Sequence, residues 1–488
     1  MRSDRFNHLF KSITNSLIGS GSIAIYLFCI LSILYYFLRF QFGLIRLIPL
    51  AQYSAALYAI GLMIIFFWRE RPTFQKDQLV LIVLMFLIYN FIHLIGSLIS
   101  YGAVEALYVI KNYFVGLILY FVVLHLFKKK QSLNLVFIIM ICCSVVAGIH
   151  VMEFISRTLA LSSLPDIPDF WRRFNLEYTG AFKYSVAMDQ YSKALNPEGR
   201  GVNFAWVKVG QYILPRFAGV MGTLNASGFI MAIGAIISFS MIMFRHPSKA
   251  KFIIFLICIA GLIISAARTS LLSAISGMLI ISVIGQKQYR MPYKTIFYLL
   301  LILLSLLIGL YLSGVINLKA FSYFYSMDGL KRTINIISED NQIDLFILKM
   351  KSAGAIFFGY GFPPINYGLY GPSTPIVSDH LFFLQLLSQY GVVFSLFFLT
   401  GSSFALYEAY NGFKKSYDQD SSYAVFAILA LFPASLVSSL HTMSVISPQI
   451  NPILVLLFAC YSVLIRDARH CPERINGGIA TVLADSKM

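Results

Sequence analysis

The chain has 488 residues, 58% of them hydrophobic and only 12% charged. A soluble domain carries about twice that charged fraction, whereas apolar runs of roughly 20 residues fit the hydrocarbon core of a bilayer. The net charge of +17 falls in short clusters between such runs, with no basic stripe interleaved with aromatics. That is how a membrane protein fixes its orientation, so nucleic acid is not an expected partner.

The first stretch, Met1 to Asn15, is polar and basic, and the apolar run after it is long enough to span. No cleavable signal peptide is therefore expected. About 12 spans follow in order: 17–38, 48–68, 79–100, 109–127, 133–155, 217–244, 252–267, 269–285, 295–316, 380–410, 422–441 and 450–465. The runs are apolar on all sides, which separates them from the alternating strands of a membrane barrel. Two long loops, 156–215 and 317–379, interrupt otherwise short connections.

Lysine and arginine settle the predicted orientation. One set of short segments and termini holds 21 of them, including Lys128, Lys129 and Lys130, and the opposite short segments hold 4: Arg39, Arg46, Lys111 and Arg268. Positive charge marks the cytoplasmic side. The chain reads as a single-domain, all-α polytopic membrane protein with both termini cytoplasmic and both long loops extracytoplasmic. The six cysteines lie in apolar runs or near the C-terminus, so no external disulfide framework is expected. The loops are rich in aromatics, such as Trp171, Trp206, Tyr323 and Tyr325. Loops this long are usually functional or disordered, and their composition favours ordered caps on the outer face.

Three polar residues stand at the outer ends of apolar segments. Arg216 opens the span at 217–244 and is followed by Gly219, Gly222, Asn225 and Gly228. Small residues let membrane helices approach closely, and an asparagine within a span bonds across helices, so Asn225 reads as structural. Arg268 lies in Ser265-Ala-Ala-Arg268-Thr269-Ser270. The apolar stretch Phe252 to Ile284 would be roughly 50 Å long as one helix, far more than a bilayer needs. Two spans turning at Arg268 are expected instead. An arginine below the membrane surface is costly unless it lines a wet cavity or meets an anion; the alternative is an arginine that only snorkels to the interface. The small neighbours leave room for a ligand. His380, preceded by Ser378 and Asp379, opens the tenth span. A neutral imidazole is a competent general base, although an isolated histidine at this position can also be a simple cap. His441 is a second, lower-ranked candidate. No Walker A sequence, His-Glu-x-x-His, paired-cysteine metal site or Gly-x-Ser-x-Gly elbow occurs.

Taken together these residues resemble the bacterial O-antigen ligase and O-antigen polymerase superfamily. Arg216-x-x-Gly219 with Asn225 resembles its arginine after the first outer loop, and Ser265-Ala-Ala-Arg268-Thr269 resembles its Ser/Arg/Thr turn. Phe358-Gly-Tyr-Gly361, a variable tract, His380 and Gln389-Tyr390-Gly391 resemble its Gly-x-Gly to histidine segment. The similar region is 210–400. Many members carry Asn after the histidine and Pro before the first-motif Asn; here those positions are Leu381 and Leu224.

The resemblance implies a metal-independent, cofactor-free glycosyltransferase of the bacterial cytoplasmic (inner) membrane, acting on its outer face. Its donor would be a polyprenyl-diphosphate-linked oligosaccharide, and its acceptor a glycan or lipid A-core hydroxyl. Arg216 and Arg268 would bind the diphosphate and His380 would be the catalytic base, in an inverting transfer. The reading favours a polymerase of surface-polysaccharide repeat units over an O-antigen ligase. A lipid-linked oligosaccharide flippase or other transporter is the rival of another class, and it should line a central pathway with charge.

Overall fold

In a computed structural model of the chain, the residues described are 19–35, 37–38, 42, 44, 46–70, 78–101, 103, 114–161, 206–209, 212–215, 224–244, 248–265, 267–289, 357, 382–415, 419–439 and 450–469. Within them lie eleven helices: α1 (Gly19–Ile33), α2 (Leu47–Glu70), α3 (Gln78–Tyr101), α4 (Val115–Leu126), α5 (Lys129–Leu161), α6 (Leu224–Phe244), α7 (Lys249–Ser265), α8 (Arg268–Tyr289), α9 (Phe382–Lys415), α10 (Gln419–Ser439) and α11 (Asn451–Arg469). Each corresponds to an expected span; the span expected at 295–316 lies outside the described residues. Five are long and apolar enough to cross a membrane, over Leu47–Ile65, Lys129–Met152, Ala226–Phe244, Gly391–Glu408 and Ser421–Ser438, and shorter apolar helices accompany them. By its apolar helices this is a multi-pass membrane protein. Helices are the expected solution because in hydrocarbon every backbone N–H and C=O must find a partner within the protein.

α6 is the centre. It is buried almost throughout, with Phe229, Ile230, Ile233 and Ile237 fully enclosed, and it packs on α5, α7, α8 and α10. The approach is close because small residues face one another. A Cβ on Gly234 would come within 2.8 Å of both Cys143 on α5 and Cys258 on α7. One on Gly261 of α7 would meet Met231 at 2.5 Å and Ala147 at 3.1 Å. This is association by van der Waals fit, as expected where lipid removes the hydrophobic drive between helices. The pairings show that α5 and α7 run parallel with α6 antiparallel between them. α8 runs parallel to α6, since Gly228 meets Ser270 and Gly277 meets Ile236.

The turn between α4 and α5 is fastened by the end of α11. Arg466 donates from Nη1 to Leu124 O (2.7 Å), from Nη2 to Phe127 O (3.1 Å) and from Nε to Asp467 Oδ1 (3.2 Å). Asp467 Oδ2 accepts the N–H of Lys129 at 2.9 Å. A cation thus satisfies carbonyls at the end of α4 while a carboxylate caps the start of α5, each favoured by the helix dipole it meets. At the other end of the same helices Pro452 sits against Gly116. α4 and α11 are therefore parallel. Arg466→Ala is expected to cost about 2 kcal/mol, since charge-assisted bonds to backbone are lost at a half-buried site. A lower thermal midpoint in detergent checks this. An unchanged midpoint for both Arg466→Ala and Asp467→Asn would mean the fastening is decorative.

The contacts sort the helix ends into two sets. Lys128, Lys129, Lys130, Lys249 and Arg466 stand at one end, here the basic end, with the starts of α5 and α7 and the finish of α11. The finishes of α5 and α7 and the starts of α4, α6, α8 and α11 stand at the far end. α8 therefore runs toward the basic end. α9 runs the same way, because Phe394 packs on Phe114, beside the start of α4, while Leu406 O accepts from Tyr461 OH toward the finish of α11; Phe394 also stacks on Tyr89 of α3 (4.2 Å between centroids) and Gly401 meets Ile82.

Two features depart from the expected layout. α9 is one helix only nominally: Gly391 has φ 75° and ψ 171°, a conformation nearly confined to glycine. A separate helical piece, 382–390, precedes it, and His380, expected to open this span, lies outside the described residues. The second is that the loop 156–215 ends in an antiparallel hairpin, β1 (Trp206–Val209) and β2 (Tyr212–Pro215), with Trp206 paired to Pro215 and Val209 to Tyr212. β2 lies against α5. α6 is described from Leu224, and the start of its expected span, 217–223, lies outside the described residues.

Candidate functional site

The site begins at the turn between α7 and α8. α7 stops at Ser265, whose Oγ donates to Leu262 O (2.8 Å) and accepts the N–H of Ala267 (3.3 Å). Such hydroxyl bonds to nearby backbone compete with the helix and turn the chain. The first ladder bond of α8 runs from Leu271 N–H to Ala267 O, 3.0 Å. Arg268 is thus the first residue of α8. The turn expected from the excessive length of the apolar stretch is where the residues place it.

That turn rests on the start of α6. A Cβ on Gly228 would lie 2.7 Å from Ala267 Cβ, 2.8 Å from Ser270 Oγ and 3.0 Å from Ser270 Cβ. Ala267 and Ser270 bracket Arg268 and Thr269, and both are buried, as are Ser227, Ser265 and Ser273. Ser273 Oγ donates to Thr269 O at 2.7 Å. The sequence placed Gly228 on a close-packing face, and the contact agrees.

The consequence is electrostatic. α6 and α8 are parallel neighbours, and the start of α8 stands beside the first described turn of α6 at the far end. The first N–H groups of a helix have no acceptor within it, and that end carries roughly half a positive charge. Neither turn carries an acidic residue. The positive end of α8, opened by an arginine and without a carboxylate of its own, is a place where an anion is stabilised.

Of the residues singled out from the sequence, Arg268 is placed by its backbone only, and its side chain is outside what is described. Arg216 directly follows β2, ahead of α6, and lies outside the described residues, as do His380, Leu381 and His441. The structure brings the Arg268 turn onto the helix into which the Arg216 segment leads. α8 packs on α6 and α10, whereas α9 packs on α3, α10 and α11. α10 is their common neighbour.

Sequence reasoning missed the hairpin that delivers Arg216. Its signal was present: Gly210-Gln211 between Trp206-Val-Lys-Val209 and Tyr212-Ile-Leu-Pro215 is a two-residue connection with glycine first, flanked by β-formers. No family model and no curated protein sequence matches the chain. What stands is an all-helical protein with several candidate membrane spans.

Proposed function

We propose that the chain is a membrane glycosyltransferase. It moves a polyprenyl-diphosphate-linked oligosaccharide onto a sugar hydroxyl, as the polymerase of surface-polysaccharide repeat units in a bacterial cytoplasmic membrane. The observation that carries the reading is the acid-free start of α8, opened by Arg268 and packed on an acid-free turn of α6. In the reaction His380 takes the proton of the acceptor hydroxyl. The oxygen attacks the anomeric carbon from the face opposite the leaving group, and the bond from that carbon to the diphosphate oxygen breaks. The diphosphate leaves with the electron pair and its charge. Arg216, Arg268 and the start of α8 hold that charge in a low-dielectric setting, where fixed donors lower the barrier most. A single displacement inverts the anomeric centre.

The distribution of charge supports an outward-facing site. The lysines of the described helices cluster at the basic end, and positive residues favour the cytoplasm, which leaves the far end with the Arg268 turn outside. A flippase would instead present charge along a central path; the buried polar residues of the described core are serines, an asparagine and His150.

The test is turnover by purified protein given polyprenyl-diphosphate glycan and acceptor. His380→Ala is expected to abolish product while the protein still inserts, and normal turnover by that variant would remove the proposed base. In cells lacking the protein, single repeat units on lipid A support a polymerase. Long chains stranded on the lipid carrier would instead show a ligase.

A further inference from the structure

We infer that Gly228 is a positioning residue for the anion-holding turn: its missing side chain sets where Arg268 stands relative to the start of α6. The inference rests on the proposed role of Arg268 at the diphosphate. Ala267 and Ser270 flank Arg268 and Thr269, and both press on the one face of Gly228. The hypothetical Cβ meets Ala267 Cβ at 2.7 Å and Ser270 Cβ at 3.0 Å. Real Cβ atoms essentially never come that close to another carbon, so a methyl group here must push something. The turn is what gives. On its other side α6 is enclosed by α5 and α7, and deeper in the bundle Gly234 is clamped between Cys143 and Cys258. α6 cannot retreat. Further along, Gly277 of α8 lies against Ile236 and Ala434, so α8 is pinned there and pivots at its start. The displaced group is the first turn of α8, with Arg268 on it. A misplacement of about 1 Å at a reacting centre can cost on the order of 100-fold.

The role separates from mere packing by comparison with Gly234. A Cβ there meets Cys143 Cβ at 2.7 Å and Cys258 Sγ at 2.8 Å, an equal crowding remote from Arg268. Gly234→Ala is expected to lower thermal stability while the KM for donor, measured on folded protein, stays within about twofold. Gly228→Ala is expected to raise that KM or lower kcat by roughly 10- to 100-fold at a similar loss of stability. Adding Ala267→Gly, which removes the closest contact, should restore most of the loss. If Gly228→Ala does not accumulate, Ala267→Ser presses on the same contact from the turn and is read in its place.

A double-mutant cycle with Arg268→Lys completes the test, because residues acting through one another are not additive. Once Arg268→Lys has cost activity, Gly228→Ala should cost little more. Full additivity, or equal behaviour of Gly228→Ala and Gly234→Ala, overturns the positioning role and leaves the function intact. Full activity of Arg268→Ala overturns the function proposed for that arginine.

Discussion

Arg268→Lys is expected to cut transfer from a polyprenyl-diphosphate donor by roughly two to three orders of magnitude, the usual loss when one preorganised donor to a developing anion is removed. Charge is conserved in this variant, so a purely electrostatic interface marker would tolerate it. Lysine offers a compact ammonium on a flexible stem, whereas arginine offers a planar fork that can hold two phosphate oxygens at once. The substitution stands at the first position of α8, where lysine is as good a helix former as arginine, so folding is not expected to suffer. The neighbours that set the turn remain: Ser265 still bonds Leu262 O and Ala267 N–H. Arg268→Ala should be at least as damaging. The measurement is product formed per folded protein at saturating acceptor, with thermal midpoint recorded in parallel. Full turnover with lysine would show that the turn needs only a positive charge, or that the arginine merely snorkels.

The helical frame was legible because two signals agree along the chain. Apolar runs mark the helices, and the alternation of lysine and arginine marks their direction; the helix pairings give the same alternation, with Lys128–Lys130 and Arg466 at one end and the Arg268 turn at the other. The α7–α8 turn was legible for a different reason: Phe252 to Ile284 is too long for one crossing, and Ser265 with Arg268 is the polar interruption. What was not legible is where a helix changes geometry without changing composition. Gly391 sits among Tyr390, Val392 and Val393, and nothing local separates it from Gly401, an ordinary helical glycine ten residues on. Arg216 and His380 lie outside the described residues, and the experiments above test their convergence on Arg268.

Gly391→Ala is expected to be the most disruptive alanine substitution in α9. At φ 75° and ψ 171° an L-residue crowds its own carbonyl, at a cost of about 1–3 kcal/mol. The chain escapes that cost by returning the position to right-handed helix, and the question is which side then moves. The portion after Gly391 is anchored: Phe394 stacks on Tyr89 at 4.2 Å and on Phe86 at 5.5 Å, Gly401 lies on Ile82, and Leu406 O accepts from Tyr461. The piece 382–390 therefore swings. It is an arm of roughly 14 Å at 1.5 Å per residue, and His380 lies just before it in sequence. Transfer activity should fall by more than about 100-fold, by the same sensitivity to misplacement that governs any positioned base, while membrane insertion is retained. Gly401→Ala is the matched comparison. A Cβ there would meet Ile82 Cδ1 at 3.4 Å, ordinary contact, and alanine is the better helix former; it should be neutral or slightly stabilising. Turnover and thermal midpoint of the two variants, measured side by side, decide the matter. If Gly391→Ala behaves like Gly401→Ala, the break in α9 does not govern what precedes it.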